Sequence, residues 1–170
     1  MPPTPRPTPI PQPSPLPEPP ERLKIPESLS ELKGCWQAVR GDLQLYDSGT
    51  LRPFGKVRVC YCFDDNDRGT TRYVYQDGAK CTGPLQAQLS QNQLVITHPN
   101  IECNKSGHRV GTQEIVCTKK PGDDSAYCDH YILCGHNKPG DEPAACARYA
   151  RIPTDLKDEK YHRVSLEYCK

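Results

Sequence analysis

The stretch "KVRVCYCF" at residues 56–63 alternates apolar and polar side chains along most of its length. A period of two is typical of a β-strand with one buried side and one solvent-facing side. A second strand candidate, "TTRYVYQ" at residues 70–76, ends at "DG", residues 77–78, which is a strong hairpin signal. The stretch therefore predicts neighbouring antiparallel strands. The apolar positions of the first strand are Val57, Val59, Tyr61 and Phe63.

Similar short strand candidates, separated by turn signals, continue to residue 152. None of them combines helical periodicity with the length of a helix. We expect roughly seven to nine short antiparallel strands, closed into a barrel or packed as a sandwich. The predicted fold class is therefore all-β, a disulfide-rich antiparallel barrel or sandwich preceded by a disordered Pro-rich stalk.

Ten cysteines are spread irregularly along the chain, and none belongs to a C-x-x-C pair. Metal sites usually draw on such close pairs, so the pattern favours disulfides and an oxidising compartment. Up to five bridges are predicted, with their connectivity left open. Cys60 and Cys62 share one strand face, so each is expected to bond to a neighbouring element. The predicted disulfide residues are Cys35, Cys60, Cys62, Cys81, Cys103, Cys117, Cys128, Cys134, Cys146 and Cys169.

The chain is almost neutral, with 22 basic and 21 acidic side chains and a formal net charge of +1. No global field attracts nucleic acid or an anionic membrane, so no nucleic-acid partner is predicted. No apolar run reaches the ~20 residues of a membrane-spanning helix. Because an oxidised protein needs export and residue 1 leads into Pro-rich sequence, we expect a membrane anchor or signal upstream in a longer parent protein.

The first 26 residues hold 12 of the 19 prolines. Alternating proline favours extended polyproline II, at about 3.1 Å per residue, which makes a semi-rigid spacer. Residues 1–26 are predicted to be a stalk, and docking of a Pro-recognising partner is the alternative. Residues 27–152 are predicted to form the disulfide-bonded β-domain. Residues 153–170 are predicted to be a tail with a short helix tied by Cys169.

The first apolar stretch, "LKGCWQ" at residues 32–37, contains the only tryptophan. Gly34 and Trp36 in this position resemble the G-x-W signature of the lipocalin and wider calycin barrels. The resemblance implies that Trp36 plugs one end of a barrel and that Arg148 or Arg151 packs on its indole. It also implies a carrier of a small apolar ligand as an alternative function.

A second resemblance covers more of the chain. The succession of a Pro-rich stalk, "L-x-GCW", "YCFD-x-N-x-x-G", "C-x-G" and "IVC" is similar to the C-terminal region of SrfA-type bacterial virulence-associated proteins, over residues 25–128. The resemblance implies a Gram-negative envelope protein with a cysteine-bonded β-domain. It brings no catalytic residues, and the sequence after residue 128 departs from it.

Motifs for chemistry fail on spacing or composition. In "CDHYILCGH" at residues 128–136, Cys128 and Cys134 lie about 20 Å apart on an extended strand, too far for one zinc ion. "DDNDRG" at residues 64–69 has a cation where a calcium loop needs a ligand. Hydrolase motifs such as G-x-S-x-G are missing. We therefore predict no catalytic residues, no metal and no cofactor.

Nine tyrosines make an aromatic population suited to an interface, because tyrosine covers apolar area while its hydroxyl stays wet. Tyr73, Tyr75 and Tyr131 are the predicted binding residues. The predicted function is a non-enzymatic, extracytoplasmic binding module, periplasmic or secreted, that recognises a protein or an envelope component. A lipocalin-like carrier and a secreted hydrolase are the alternatives.

Overall fold

The structure is a computed structural model that describes part of the chain. Most of the predicted stalk and most of the predicted C-terminal tail fall outside the described residues. The described residues are 1–3, 12, 14–15, 21–46, 52–64, 67–90, 92–122, 124–133, 148–151 and 166–169.

In the described part of the chain, a short 3₁₀ helix is followed by eleven strands. The 3₁₀ helix spans Leu29–Leu32. The strands are β1 (Gly34–Tyr46), β2 (Pro53–Phe63), β3 (Arg68–Tyr75), β4 (Lys80–Ser90), β5 (Gln93–His98), β6 (Ile101–Glu102), β7 (Arg109–Val110), β8 (Gln113–Lys119), β9 (Ala126–Leu133), β10 (Arg148–Arg151) and β11 (Leu166–Cys169).

The predicted all-β fold is confirmed as one antiparallel sheet, strongly curled into a half-barrel. The nine strands of the sheet have the order β10-β9-β8-β5-β4-β3-β2-β1-β11, so most neighbours in sequence are neighbours in the sheet. The last strand returns to pair with β1, and β6 and β7 form a separate hairpin. The curled sheet favours the barrel-like alternative over a sandwich.

Alternate side chains along the strands point to the concave side of the sheet and fill it. In β2 the apolar positions identified from the sequence are all buried, while the polar residues between them face outward. The same alternation runs through β3 from Thr71 to Tyr75 and through β9 from Ala126 to Ile132, where every second residue is buried. The largest fully buried side chains are Tyr61, Tyr73, Leu23, Leu32, Leu85, Leu94, Ile96, Ile115, His98, Val57 and Val59.

The start of β1 packs against the 3₁₀ helix. Trp36 is 5% exposed, and its Nε1 donates a hydrogen bond to the carbonyl oxygen of Leu32 at 3.0 Å. Gly34 precedes it with φ of 116°, a left-handed conformation that favours glycine. The glycine and the tryptophan of "GCW" therefore have separate roles, one in the backbone and one in the core.

The β6–β7 hairpin is linked to β4 by a disulfide. Cys81 of β4 is bonded to Cys103, which follows β6, and the two residues also form a β-bridge. A Cβ at Gly83 would lie 2.7 Å from Cγ1 of Ile101, so the absence of a side chain there lets the hairpin lie close to the strand. Ile101 and Val110 are buried as a result.

Packing begins before residue 27, where the β-domain was predicted to start. Leu23 is 2% exposed and belongs to the hydrophobic core. Its carbonyl oxygen accepts a hydrogen bond from the backbone N–H of Ala126, and Lys24 forms a β-bridge with Ser125. Leu23 is an apolar residue next to a Pro-rich segment, and this is the sequence feature that indicates its contact with the β-domain.

Substituting Gly69 by alanine is expected to lower the free energy of unfolding by about 2–3 kcal/mol. A Cβ on Gly69 would overlap the backbone carbonyl oxygen of Cys62 in the paired strand β2, so the two strands would have to separate. Gly55→Ala is the matched control, because a Cβ there meets nothing within 4 Å. Urea unfolding of both variants measures the difference, and equal stabilities would contradict this close approach.

Candidate functional site

A groove of about 580 Å³ lies across β2, β3, β4 and β5, and its exposed lining side chains are on the outer side of the sheet. Strand register explains its position, because Cys62, Thr70 and Pro84 are consecutive partners across three strands. Gln86 pairs with both Arg68 and Thr97 and forms the next row. The full lining is Cys62, Phe63, Asp64, Arg68, Gly69, Thr70, Pro84, Leu85, Gln86, Thr97 and Pro99.

The groove combines one basic residue, Arg68, and one acidic residue, Asp64, with neutral hydrogen-bonding groups. Arg68 and Thr70 of β3 and Gln86 of β4 are exposed, and Gln86 shares one row of the sheet with Arg68. The backbone there is held by hydrogen bonds from Asp64 N to Arg68 O at 2.9 Å and from Ala87 N to Asp67 O at 2.7 Å. A rigid backbone fixes these polar groups without a large entropy cost on binding.

The outer face next to the groove is basic. Strands β2, β3 and β4 carry five basic residues and no acidic residue within their bounds. All five are exposed on the outer side of the sheet, in contrast with the near-zero net charge of the chain. We call this surface the basic face, and its residues are Lys56, Arg58, Arg68, Arg72 and Lys80.

The concave side holds a buried polar cluster of two tyrosines and two histidines. The Tyr73 hydroxyl lies 2.7 Å from Nε2 of His98, and the Tyr61 hydroxyl lies 3.1 Å from Nε2 of His130. Tyr61 and Tyr73 also interact with each other, so the four side chains form one polar chain. Strands β2 and β9 are far apart in the sheet order, and the Tyr61–His130 contact therefore reflects the curl of the sheet.

The tautomer of His98 follows from its second contact. Nδ1 of His98 lies 2.8 Å from the carbonyl oxygen of Pro99, which can only accept a hydrogen bond. Nδ1 therefore carries the proton of the neutral ring. Nε2 then accepts a hydrogen bond from the Tyr73 hydroxyl.

Burial keeps the whole cluster neutral at pH 7. Burial lowers the pKa of His98 to about 4, and burial together with the neighbouring His98 lowers the pKa of His130 to about 4. Burial also raises the pKa of both Tyr61 and Tyr73 above the ordinary value of tyrosine. Groups with these pKa values do not exchange protons near neutral pH, so the cluster is suited to structure rather than to acid–base chemistry.

The predicted binding tyrosines are divided between the two sides of the sheet. Tyr73 and Tyr75 are 2% and 6% exposed, which corrects the expectation that they offer a surface patch. Their parity in β3 turns them inward, where Tyr75 stacks edge-on against His108. Tyr131 has the outward parity in β9 and is half-buried.

The predicted barrel plug is described in part. Trp36 is buried beside Leu32, as its predicted role requires. Arg148 and Arg151 lie in β10, and Arg151 is in register with Tyr131. Their side chains fall outside the described part of the chain, so the predicted stacking on Trp36 stays a prediction.

Among the described residues, three disulfides join partners on neighbouring strands or in a β-bridge: Cys35–Cys62, Cys81–Cys103 and Cys117–Cys128. They indicate an oxidising, extracytoplasmic environment. Cys62 is bonded to the neighbouring strand rather than to Cys60, which is half-buried in β2. Cys169 is in register with Cys35. The predictions for Cys134 and Cys146 lie outside the described residues.

Cys128 is bonded to Cys117 and thus is no thiolate ligand for a metal. Within the described residues, no group of three or more His, Cys, Asp or Glu side chains is arranged to hold a metal ion.

None of the helices in the described part of the chain is long and apolar enough to cross a membrane. No family model, curated protein or solved structure matched the chain.

Proposed function

We propose that the chain is a non-enzymatic binding module that holds a component of the cell envelope in its outer groove. The observation that carries this proposal is the groove itself. Its volume of about 580 Å³ lies within the range of ligand sites, roughly 300–1,000 Å³. Its lining brings one basic residue, one acidic residue, several neutral polar groups and two prolines together on the sheet.

The disulfides support the extracytoplasmic part of the proposal. The Cys35–Cys62 bridge joins β1 to β2 at the groove, because Cys62 is itself a lining residue. A bridge at this position limits the fraying of the two strands and preserves the groove. The finer location that we propose is the periplasm of a Gram-negative bacterium, with residues 1–26 as a stalk that holds the module away from its membrane anchor.

Filling the groove tests the proposal. Thr70→Trp places a bulky side chain on an exposed lining position of β3. Gln76→Trp is the matched control, because Gln76 is also exposed and lies directly after β3 at its far end, outside the lining. We measure binding of the fluorescently labelled chain to a sedimented Gram-negative envelope fraction.

The expected result is saturable binding that Thr70→Trp weakens by about tenfold or more, which corresponds to about 1.4 kcal/mol. Gln76→Trp should bind like the parent chain. Both variants should keep the parent circular dichroism spectrum, since both positions are exposed. Absence of saturable binding, or equal weakening by the two substitutions, would overturn the proposal.

A lipocalin-like carrier is the second candidate. The arrangement of the 3₁₀ helix, Gly34 and buried Trp36 at the start of β1 favours it. The inner positions of the sheet, however, are occupied by the chain's own side chains, including the polar cluster of Tyr61, Tyr73, His98 and His130. Displacement of an apolar dye by fatty acids would support the carrier, and unsaturable dye binding would count against it.

A further inference from the structure

We propose that the basic face binds an anionic glycan, a carbohydrate chain with carboxylate or phosphate groups, and that the groove receives one of its sugar units. This inference rests on the proposed function and names the chemistry of the envelope component. The observation behind it is that basic residues are concentrated on the outer side of three strands. Three strands present five cations outward, while the whole chain has a net charge of +1.

Strand register makes these cations one continuous surface. Arg58 of β2 and Lys80 of β4 are both partners of Val74, so they lie one strand apart on either side of β3. Arg72 is in the next row along β3. Because rows of one face are about 6.7 Å apart and strands about 4.8 Å apart, these three side chains form a compact cluster.

Arg68 extends the cluster into the groove. It lies four residues before Arg72 on the same face of β3, at a spacing of about 13 Å. A ligand that touches both arginines must therefore be extended and carry more than one anionic group. Thr70 lies between them, and Gln86 faces Arg68 from β4.

The side-chain chemistry fits an acidic carbohydrate. The planar guanidinium group of arginine binds a carboxylate or phosphate through two parallel hydrogen bonds, and three of the five cations are arginines. Hydroxyl and amide groups such as those of Thr70 and Gln86 both donate and accept hydrogen bonds. They match the hydroxyl groups of a sugar, which also act as donors and acceptors.

Other polyanions fit this surface less well. Single-stranded nucleic acids require exposed aromatic rings on which bases stack. Tyr61, Phe63, Tyr73 and Tyr75 are buried on the opposite side of these strands. Binding to a membrane surface draws on buried apolar area as well as on charge, and the only large hydrophobic side chain exposed among the described residues is Met1.

Acidic residues mark the limits of the basic face. Asp64 and Asp67 lie in the turn between β2 and β3, beside Arg68. Asp77 lies in the opposite turn, between β3 and β4, and binds Lys105 at 2.9 Å and His108 at 3.0 Å. The anionic ligand should therefore lie between these two turns, along β3 from Arg68 to Arg72.

The test measures binding of defined glycans by isothermal titration calorimetry. Polygalacturonate supplies carboxylates, dextran phosphate supplies phosphates, and unmodified dextran is the neutral control. The test variant is Arg68→Gln with Arg72→Gln. The matched control is Arg22→Gln with Lys24→Gln, which removes the same charge from exposed positions outside the basic face.

The expected result is binding of at least one anionic glycan and none of neutral dextran. The test variant should weaken binding by about tenfold or more, about 1.4 kcal/mol, and the control variant by less than about twofold. The stronger of the two anionic glycans identifies the preferred group. All four substitutions are at exposed positions, and unfolding curves verify that the variants fold.

Three outcomes would overturn the inference. The first is equal weakening by the test and control variants, which indicates attraction by total charge alone. The second is equal or tighter binding of a thymidine oligonucleotide or of phosphatidylglycerol vesicles. The third is no binding of either anionic glycan. If that third result occurs while envelope binding stays sensitive to Thr70→Trp, the glycan chemistry fails and the proposed function stands.

Discussion

Acidification from about pH 7 to about pH 4.5 is expected to lower the free energy of unfolding by about 5 kcal/mol. His98 and His130 are buried as neutral rings, each with a pKa lowered to about 4 from the ordinary 6.5. Between these two values the unfolded chain binds protons that the folded chain does not. Stability therefore falls as the pH falls below 6.5 and levels off below 4.

Urea unfolding at a series of pH values measures this effect. His98→Gln and His130→Gln keep a hydrogen-bonding group near Tyr73 and Tyr61 but remove the titration. Each variant should lose about half of the pH dependence, since each histidine contributes about 2–3 kcal/mol over this range. As a check that needs no variant, the ring resonances of both histidines should not titrate between about pH 7 and pH 5 in the folded protein.

Protonation of Asp77 affects the stability of the protein in a separate, lower range of pH. Hydrogen bonds from the backbone N–H of Ala79 and from Lys105 lower the pKa of Asp77 to about 2. Its stabilising contribution is present above the ordinary value of 3.8 and is lost only as the pH falls toward 2. A loss of stability confined to this lower range, with none between pH 6.5 and 4.5, would contradict the role of the two histidines.

The strands were predictable because their alternation is local. Residues 56–63 and 70–76 correspond closely to β2 and β3, and the "DG" at residues 77–78 lies in the turn that follows. The same alternation placed Tyr73 and Tyr75 on one face, but the sequence does not say which partners meet that face. Tyr61 contacts a histidine 69 residues away, and only the curl of the sheet brings them together.

The basic face was missed for a physical reason. A net charge of +1 describes the field far from the molecule, whereas a ligand responds to the charges within its own contact surface. The signal was present in the sequence, because the basic residues of β2 and β3 occupy the polar positions of the alternating apolar and polar pattern. Counting charge by strand face would have revealed it.

Replacing Trp36 by alanine is expected to lower the free energy of unfolding by about 3–5 kcal/mol. The side chain is 5% exposed, and its backbone is paired to Tyr61 of β2 and to Tyr168 of β11. Truncation would leave a cavity where β1 meets the 3₁₀ helix. It would also leave the carbonyl oxygen of Leu32 without its indole donor.

Trp36→Phe separates these two contributions. Phenylalanine keeps an aromatic ring in the core but cannot donate to Leu32, so we expect a loss of about 1–2 kcal/mol. Because Trp36 is the only tryptophan, unfolding must be followed by circular dichroism rather than by intrinsic tryptophan fluorescence. A loss below about 1 kcal/mol for Trp36→Ala would show that the indole does not support this end of the sheet. The likeness of "GCW" to a calycin barrel start would then rest on Gly34 alone, whose left-handed φ of 116° explains the glycine without any plug.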